Sequence, residues 1–176
     1  MNIGVISYSL TGNNDSLAAR VAALLGAAHI KVTEEKSRTN GTIAFDMLLG
    51  RTPRAQPASG KQDGFDLIVY VAPVWMGQAA SPMRAYLKRI KAVPRRYAFV
   101  SISGGALNDN PKLADNLQKQ TGQAPDAVVD LHIADLLPPG SKPTSSDTSA
   151  YRLSDEVAQK LAETVVQRLK GIVAKA

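Results

Sequence analysis

Along the chain, short apolar runs alternate with segments whose apolar residues recur every three or four positions. The runs are residues 3–8 (IGVISY), 67–72 (LIVYVA), 97–102 (YAFVSI) and 127–133 (AVVDLHI), with a shorter one at 29–33. Runs of this length, rich in β-branched and aromatic residues, predict strands. The near-continuous apolarity of 67–72 predicts a strand buried on both faces. Residues 16–25 put Leu17, Val21, Leu24 and Leu25 on one helical face, with Asn14 or Asp15 as cap and Gly26 as stop. Residues 83–90 predict a helix opened by Ser81 and Pro82. Two more follow: 111–120, ended by Gly122, and 154–173, with Val157, Leu161, Val165, Leu169 and Ile172 in phase.

Strands that alternate with helices predict parallel βαβ units and an open α/β sheet covered on both faces, here as one domain over residues 1–176. Two segments interrupt the alternation. Residues 34–64 form a long second crossover with a short helix expected near 42–49. Residues 136–150 (LLPPGSKPTSSDTSA) read as a Pro- and Ser-rich loop, and a loop of that length in a compact domain is functional or mobile.

Composition narrows the chemistry. The 176 residues contain no cysteine, which excludes disulfides, thiolate nucleophiles, iron–sulfur ligation and cysteine–zinc sites. No basic stretch leads into an apolar segment at the N-terminus, and no apolar run reaches bilayer length, so neither a signal peptide nor a membrane span is expected and a cytoplasmic location is. The net charge of +6 has an address: no acidic residue lies between Asp66 and Asp109, whereas Arg84, Lys88, Arg89, Lys91, Arg95 and Arg96 do. Arg84, Lys88 and Lys91 share a helical face and are expected to be exposed. The patch reads either as a solvated helix face or as a docking surface for an anionic partner. It has little aromatic interleaving and no known motif around it, which argues against nucleic acid.

The strongest candidate for chemistry is Ser9, Leu10, Thr11, Gly12, Asn13 and Asn14, between the first strand and the first helix. In an open α/β sheet ligands bind beyond the carboxyl ends of the strands, and a loop there aims backbone N–H groups at an anion. The hydroxyls of Ser9 and Thr11 and the side-chain amides of Asn13 and Asn14 add donors, and Gly12 lets the backbone bend closely. The same residues also make an ordinary polar turn with a helix cap. The Walker pattern, the dinucleotide glycine pattern and Gly-x-Ser-x-Gly are all absent. Where receiver domains carry an acidic pair, this chain has Ser7 and Tyr8. His29 and His132 fall within expected strands and read as packed or edge histidines.

Two further loops follow the third and fourth strands. Pro73, Val74, Trp75, Met76 and Gly77 hold the only tryptophan, which either stacks on a planar ligand or plugs the sheet end. Ser103, Gly104 and Gly105 let main chain approach a flat ligand edge, or form a flexible turn.

Taken together, these three loops resemble the flavodoxin-like family, a three-layer sandwich on a five-stranded parallel sheet of order 2-1-3-4-5. The resemblance covers most of the chain. It extends to Leu49-Gly50-Arg51-Thr52-Pro53, Phe65-Asp66-Leu67-Ile68, Pro73-Val74-Trp75, Ser81-Pro82 and Tyr86-Leu87, which look like small bacterial flavodoxin-like proteins. It implies FMN as cofactor. Ser9, Leu10, Thr11, Gly12, Asn13 and Asn14 would hold the phosphate. Pro73, Val74, Trp75, Met76 and Gly77 would line one side of the ring, and Ser103, Gly104 and Gly105 its edge. Asn14 stands where the family usually has threonine, residues 103–109 contain no aromatic residue, and the chain is basic where electron-carrier flavodoxins tend to be acidic. The implied activity is an FMN-dependent oxidoreductase, with NAD(P)H as donor and a quinone or similar acceptor, and a homodimer as a candidate assembly. The alternatives are a one-electron carrier that docks a redox protein and a flavin-free binding module. No side chain is singled out as a general acid or base.

Overall fold

A computed structural model describes residues 1–35, 39–104, 110–138 and 143–174. The apolar runs become a five-stranded, fully parallel sheet. Its strands are β1 (Ile3–Ser7), β2 (Ala28–Lys31), β3 (Leu67–Val71), β6 (Arg96–Ser103) and β7 (Ala127–His132), in the order β2-β1-β3-β6-β7. Counting these five alone, the order is 2-1-3-4-5, that of the flavodoxin-like fold. A two-stranded hairpin, β4 (Val74–Trp75) and β5 (Gln78–Ala79), stands apart beyond the carboxyl end of β3.

Strand periodicity sorts the side chains into two cores. Ile6, Ile68, Tyr70, Tyr97 and Phe99 face α3 (Arg84–Ala92) and α4 (Leu113–Thr121). Val5, Val69, Val71, Ala98, Val100 and Val129 face α1 (Asn13–Leu25) and α6 (Asp155–Val173). The first core is aromatic. The second is built from small residues, among them Ala18 and Ala22 of α1 and Ala162 of α6. Gly4 is required on the aromatic side, since a Cβ there would stand 2.3 Å from Phe65 Cδ2.

The helix boundaries differ from expectation in ways with physical causes. Helix α1 starts at Asn13, and its N-cap is Gly12 with no side-chain cap bond, so neither Asn14 nor Asp15 caps it. Leu24, expected on the buried face, is 43% exposed. Ser154 caps α6 by accepting from Val157 N. The loop expected over 136–150 is partly helical: α5 (Ser145–Ala150) is nucleated by a capping box in which Thr144 and Asp147 bond each other's backbone N–H.

The second crossover carries α2 (Asn40–Leu48), as expected, but polar groups anchor it to the body. Gln62 is buried, donates to the Tyr86 carbonyl (3.0 Å) and accepts from the Tyr70 hydroxyl (2.9 Å). Tyr86 donates to the Pro57 carbonyl, and burial pushes its phenol up to about 12. Arg84 is only 5% exposed. Its guanidinium donates to the carbonyls of Asp46 (3.0 Å) and Arg51 (2.7 Å). The expectation of an exposed Arg84 on the basic face is therefore overturned, because a planar fork of donors suits the carbonyls that cluster at a short helix's end. The rest of the patch is also partly neutralised. Arg89 pairs with Asp63, and Arg96 with Asp126 at 2.7 Å. Lys88 and Lys91 remain on the exposed face.

Candidate functional site

The first loop leaves β1 at Ser7 and enters α1 through Gly12, whose φ of 94° is left-handed and favours glycine. The Ser9 Oγ accepts from the backbone N–H of Gly12 (2.9 Å) and of Asn14 (3.1 Å). Two amides of the helix start thus converge on one side-chain oxygen at the positive end of the helix dipole. The side chains of Asn13 and Asn14 are used otherwise. Asn13 is buried, donates to the Tyr151 carbonyl (3.0 Å) and accepts from Leu153 N (3.0 Å). Asn14 is buried and pairs with both main-chain groups of Ile102, donating to its carbonyl (2.8 Å) and accepting from its N–H (3.0 Å). The Gly12 and Asn14 amides are thus engaged with Ser9, and each asparagine NH2 has one N–H bonded to main chain, which leaves the remaining loop amides, the Ser9 and Thr11 hydroxyls and the second N–H of each asparagine as candidate donors.

The second loop is the β4–β5 hairpin. Met76 and Gly77 have φ of 51° and 74°, so the two-residue turn has the left-handed pair that closes such hairpins tightly. Asn116 Nδ2 of α4 donates to the Gly77 carbonyl (2.9 Å), and Ala80 N donates to the Pro73 carbonyl (3.0 Å), fixing tip and base. Val74 and Trp75 are half-buried and Met76 is 74% exposed. The Trp75 ring meets Tyr8 edge-on, with centroids 5.9 Å apart and planes at 89°. The Tyr8 hydroxyl donates to Glu34 Oε2 (3.0 Å).

The third loop begins at the end of β6. Ser103 is buried, and among the described residues its hydroxyl oxygen has no hydrogen-bond partner. At Gly104 a Cβ would lie 2.8 Å from Thr148 Oγ1, so no side chain fits there. Gly105 lies outside the described residues. A cavity of about 130 Å³ joins the three loops: Leu10, Thr11 and Asn14 from the first, Pro73 and Trp75 from the second, Ser103 and Gly104 from the third. Thr148 and Ser149 of α5 also line it. The sequence reads as a loop here, functional or mobile, and singles out neither Thr148 nor Ser149. The capping pattern Thr144-x-x-Asp147 was the available signal.

A larger cleft, about 420 Å³, opens on the β2 side of the first loop and is lined by Ser9, Gly12, Asp15, Lys31, Glu34 and Glu35, among others. Ser7 Oγ donates to Asp15 (2.8 Å) and meets His29 Nε2 (2.9 Å), and Lys31 pairs with Asp15 (2.7 Å). Burial lowers the His29 pKa, with Asp15 opposing and Lys31 reinforcing the shift. Both histidines stand in strands. His132 Nε2 is 3.5 Å from Asp130, which Asn110 and Ser101 hold. Among the described residues no group of three or more His, Asp or Glu is placed to hold a metal ion, and no helix is long and apolar enough to cross a membrane.

No family model and no curated protein matches the chain. Solved structures do. A flavoprotein of Lactobacillus acidophilus in complex with FMN superposes with a TM-score of 0.61 at 21% identity, covering 73% of this chain and 92% of that one. A presumed flavoprotein of Bacteroides uniformis gives 0.67 at 14% identity, covering 92% and 97%. One from Bacteroides eggerthii gives 0.63 at 12%, covering 94% and 98%. With the strand order above, these likenesses establish that the chain has the flavodoxin-like fold.

Proposed function

We propose that the chain binds FMN and acts in the cytoplasm as an FMN-dependent oxidoreductase, with NAD(P)H as donor and a quinone or similar compound as acceptor. The observation that carries this reading is the meeting of three strand-end loops around one cavity, where Ser103 keeps a buried hydroxyl oxygen without a partner. Such an atom costs stability unless a ligand completes it. The donor set fits the cofactor. Backbone N–H groups at the start of α1, with the Ser9 and Thr11 hydroxyls, suit a terminal monophosphate. Trp75 offers a ring face, and Gly104 brings main chain to the ring's edge. The FMN complex of the Lactobacillus acidophilus flavoprotein, on the same fold, supports the same choice.

The flavin, when bound, supplies the hydride and electron chemistry. The protein's part is to hold, orient and screen it. Trp75, kept edge-on to Tyr8, would cover one face of the ring. No second aromatic residue occurs in 103–109, which leaves the other face for a nicotinamide or quinone to stack on.

The alternative of a one-electron carrier rested on a basic docking surface. Arg84 is buried, and Arg89 and Arg96 are paired with acidic residues, which weakens that surface. Three measurements decide. A flavin absorption spectrum, with extraction against FMN and FAD standards, identifies the cofactor. FMN titration into the apoprotein measures its affinity. Steady-state NAD(P)H oxidation with and without a quinone tests turnover. Flavin binding without turnover would leave the carrier, and no flavin uptake would leave a binding module.

A further inference from the structure

We propose that α5 is a wall of the cofactor site, with Thr148 and Ser149 on one side and Ser103 on the other binding the polyol chain that joins the ring to the phosphate. This rests on the FMN reading above. The cavity runs from the phosphate loop, at Thr11, to the ring-side loops, at Trp75 and Gly104, and α5 closes it. Its volume of about 130 Å³ is well below the roughly 300 Å³ that drug-sized ligands need. A volume of this size suits a short chain better than a tricyclic ring. The ring would then extend outward, toward Trp75.

The chemistry of the walls fits a polyol. Four hydroxyl-bearing residues line it, Ser103, Thr148 and Ser149 with Thr11 at the phosphate end, and among the described residues no charged one does. Ser103 Oγ is buried and unpartnered. The Thr148 hydroxyl donates to the Thr144 carbonyl (3.4 Å). Polyol hydroxyls both donate and accept, so they can serve either kind of group.

The position of α5 is fixed from the phosphate loop itself. Asn13 holds both Tyr151 and Leu153, just after α5, through one side-chain amide. Thr148 is 7% exposed and packs on Gly104, where the absence of a Cβ makes room for it. One residue of the loop that would hold the phosphate therefore sets where the polyol's wall stands. Gly104 sets how closely that wall approaches the third loop.

The test is a cycle between protein and ligand hydroxyls. Binding of FMN is compared with that of an FMN analogue lacking the 2′-, 3′- and 4′-hydroxyls but keeping ring and phosphate, read by Trp75 fluorescence and by calorimetry. The double variant Thr148→Val, Ser149→Ala should weaken FMN about five- to tenfold, the scale of one or two hydrogen bonds, and leave the analogue's affinity unchanged. Ser103→Ala should weaken FMN alone, while the melting temperature of the apoprotein stays level or rises, because an unpartnered buried oxygen is removed. Equal losses for FMN and analogue, or no loss for either, would overturn the proposal while FMN binding stands. Failure of the wild-type protein to bind FMN would instead overturn the cofactor reading. A melt unchanged in the double variant shows that any loss is not a folding defect.

Discussion

The loops on the central strands and the segments that connect the outer ones are built by opposite means. The loops after β1, β3 and β6 emerge from strands whose residues are almost all buried and whose side chains alternate between two apolar cores. Their positions follow from hydrophobic burial. The second crossover and the residues around α5 contain little that burial alone would place. Single polar side chains pin them instead: Arg84 and Gln62 to the crossover, Asn13 to the residues after α5. The site draws on both kinds of structure, so damage to each should look different.

The largest effect is expected at Arg84. Arg84→Ala removes charge-assisted bonds to two carbonyls and leaves a void against α2, for a loss of roughly 3 kcal/mol in urea unfolding. Arg84→Lys keeps the charge but not the planar fork, and should recover less than half of that loss. Arg84 does not line the cavity, so FMN affinity measured well below the melting temperature should change less than twofold. A large affinity loss in a folded Arg84 variant would erase the distinction between connector and loop.

Asn14 should behave differently, because it belongs to both. Its side chain closes the Ile102 main chain beyond the end of β3, while its backbone N–H bonds Ser9 within the first loop. Asn14→Ala should cost about 2 kcal/mol of stability, since two buried main-chain groups lose their partner. It should also weaken FMN binding. Asn14→Thr restores the family's usual residue but cannot bond both groups of Ile102, and about half of the stability loss should persist. Unchanged urea midpoints in both variants would mean that the Ile102 pairing contributes nothing.

The same division explains what the sequence disclosed. The five strands, their helices and the three loops were legible because periodicity and glycine positions report burial and turns directly. The β4–β5 hairpin was not, because two-residue strands carry no periodicity, and its Met76 sits at a φ that methionine rarely adopts. The fate of Arg84 was hidden because helical spacing placed it with Lys88 and Lys91, while its partners lie 33 and 38 residues away. The structural bonds of the Asn13 and Asn14 amides were hidden for a similar reason: their partners, Tyr151, Leu153 and Ile102, are remote in the chain. Helix α5 was obscured by its Pro- and Ser-rich surroundings, although its capping box was there to be read.

Trp75 offers a sharper, ligand-only contrast. It is half-buried, so Trp75→Ala should leave the apoprotein's stability nearly intact, with a loss of about 1 kcal/mol at most. FMN binding should weaken by about 1–3 kcal/mol, the scale of an aromatic contact with its buried area. In the wild-type protein FMN should strongly quench its fluorescence. A variant with undiminished affinity would show that the ring plugs the sheet end and does not stack.

The smallest effect is expected at the β2 edge, where His29 meets Ser7 beside Asp15 and Lys31. Burial lowers the folded-state pKa of His29 below the ordinary imidazole value of about 6.5, despite the attraction of Asp15. In the unfolded chain the ring titrates near that ordinary value. Between the two, the unfolded state binds more protons than the folded one, so stability rises with pH across this interval. The contribution of neutral His29 is fully present above about pH 6.5 and is lost as pH falls through the lowered folded value. His29→Gln retains a donor for Ser7 without titrating. Urea midpoints of wild type and variant should therefore run parallel above pH 7 and diverge below 6.5, with the wild type falling faster. Because His29 is on the exposed side of an edge strand, the divergence should be small. A wild type that gains stability relative to the variant on acidification would mean that the pull of Asp15 outweighs burial, and would reverse the sign.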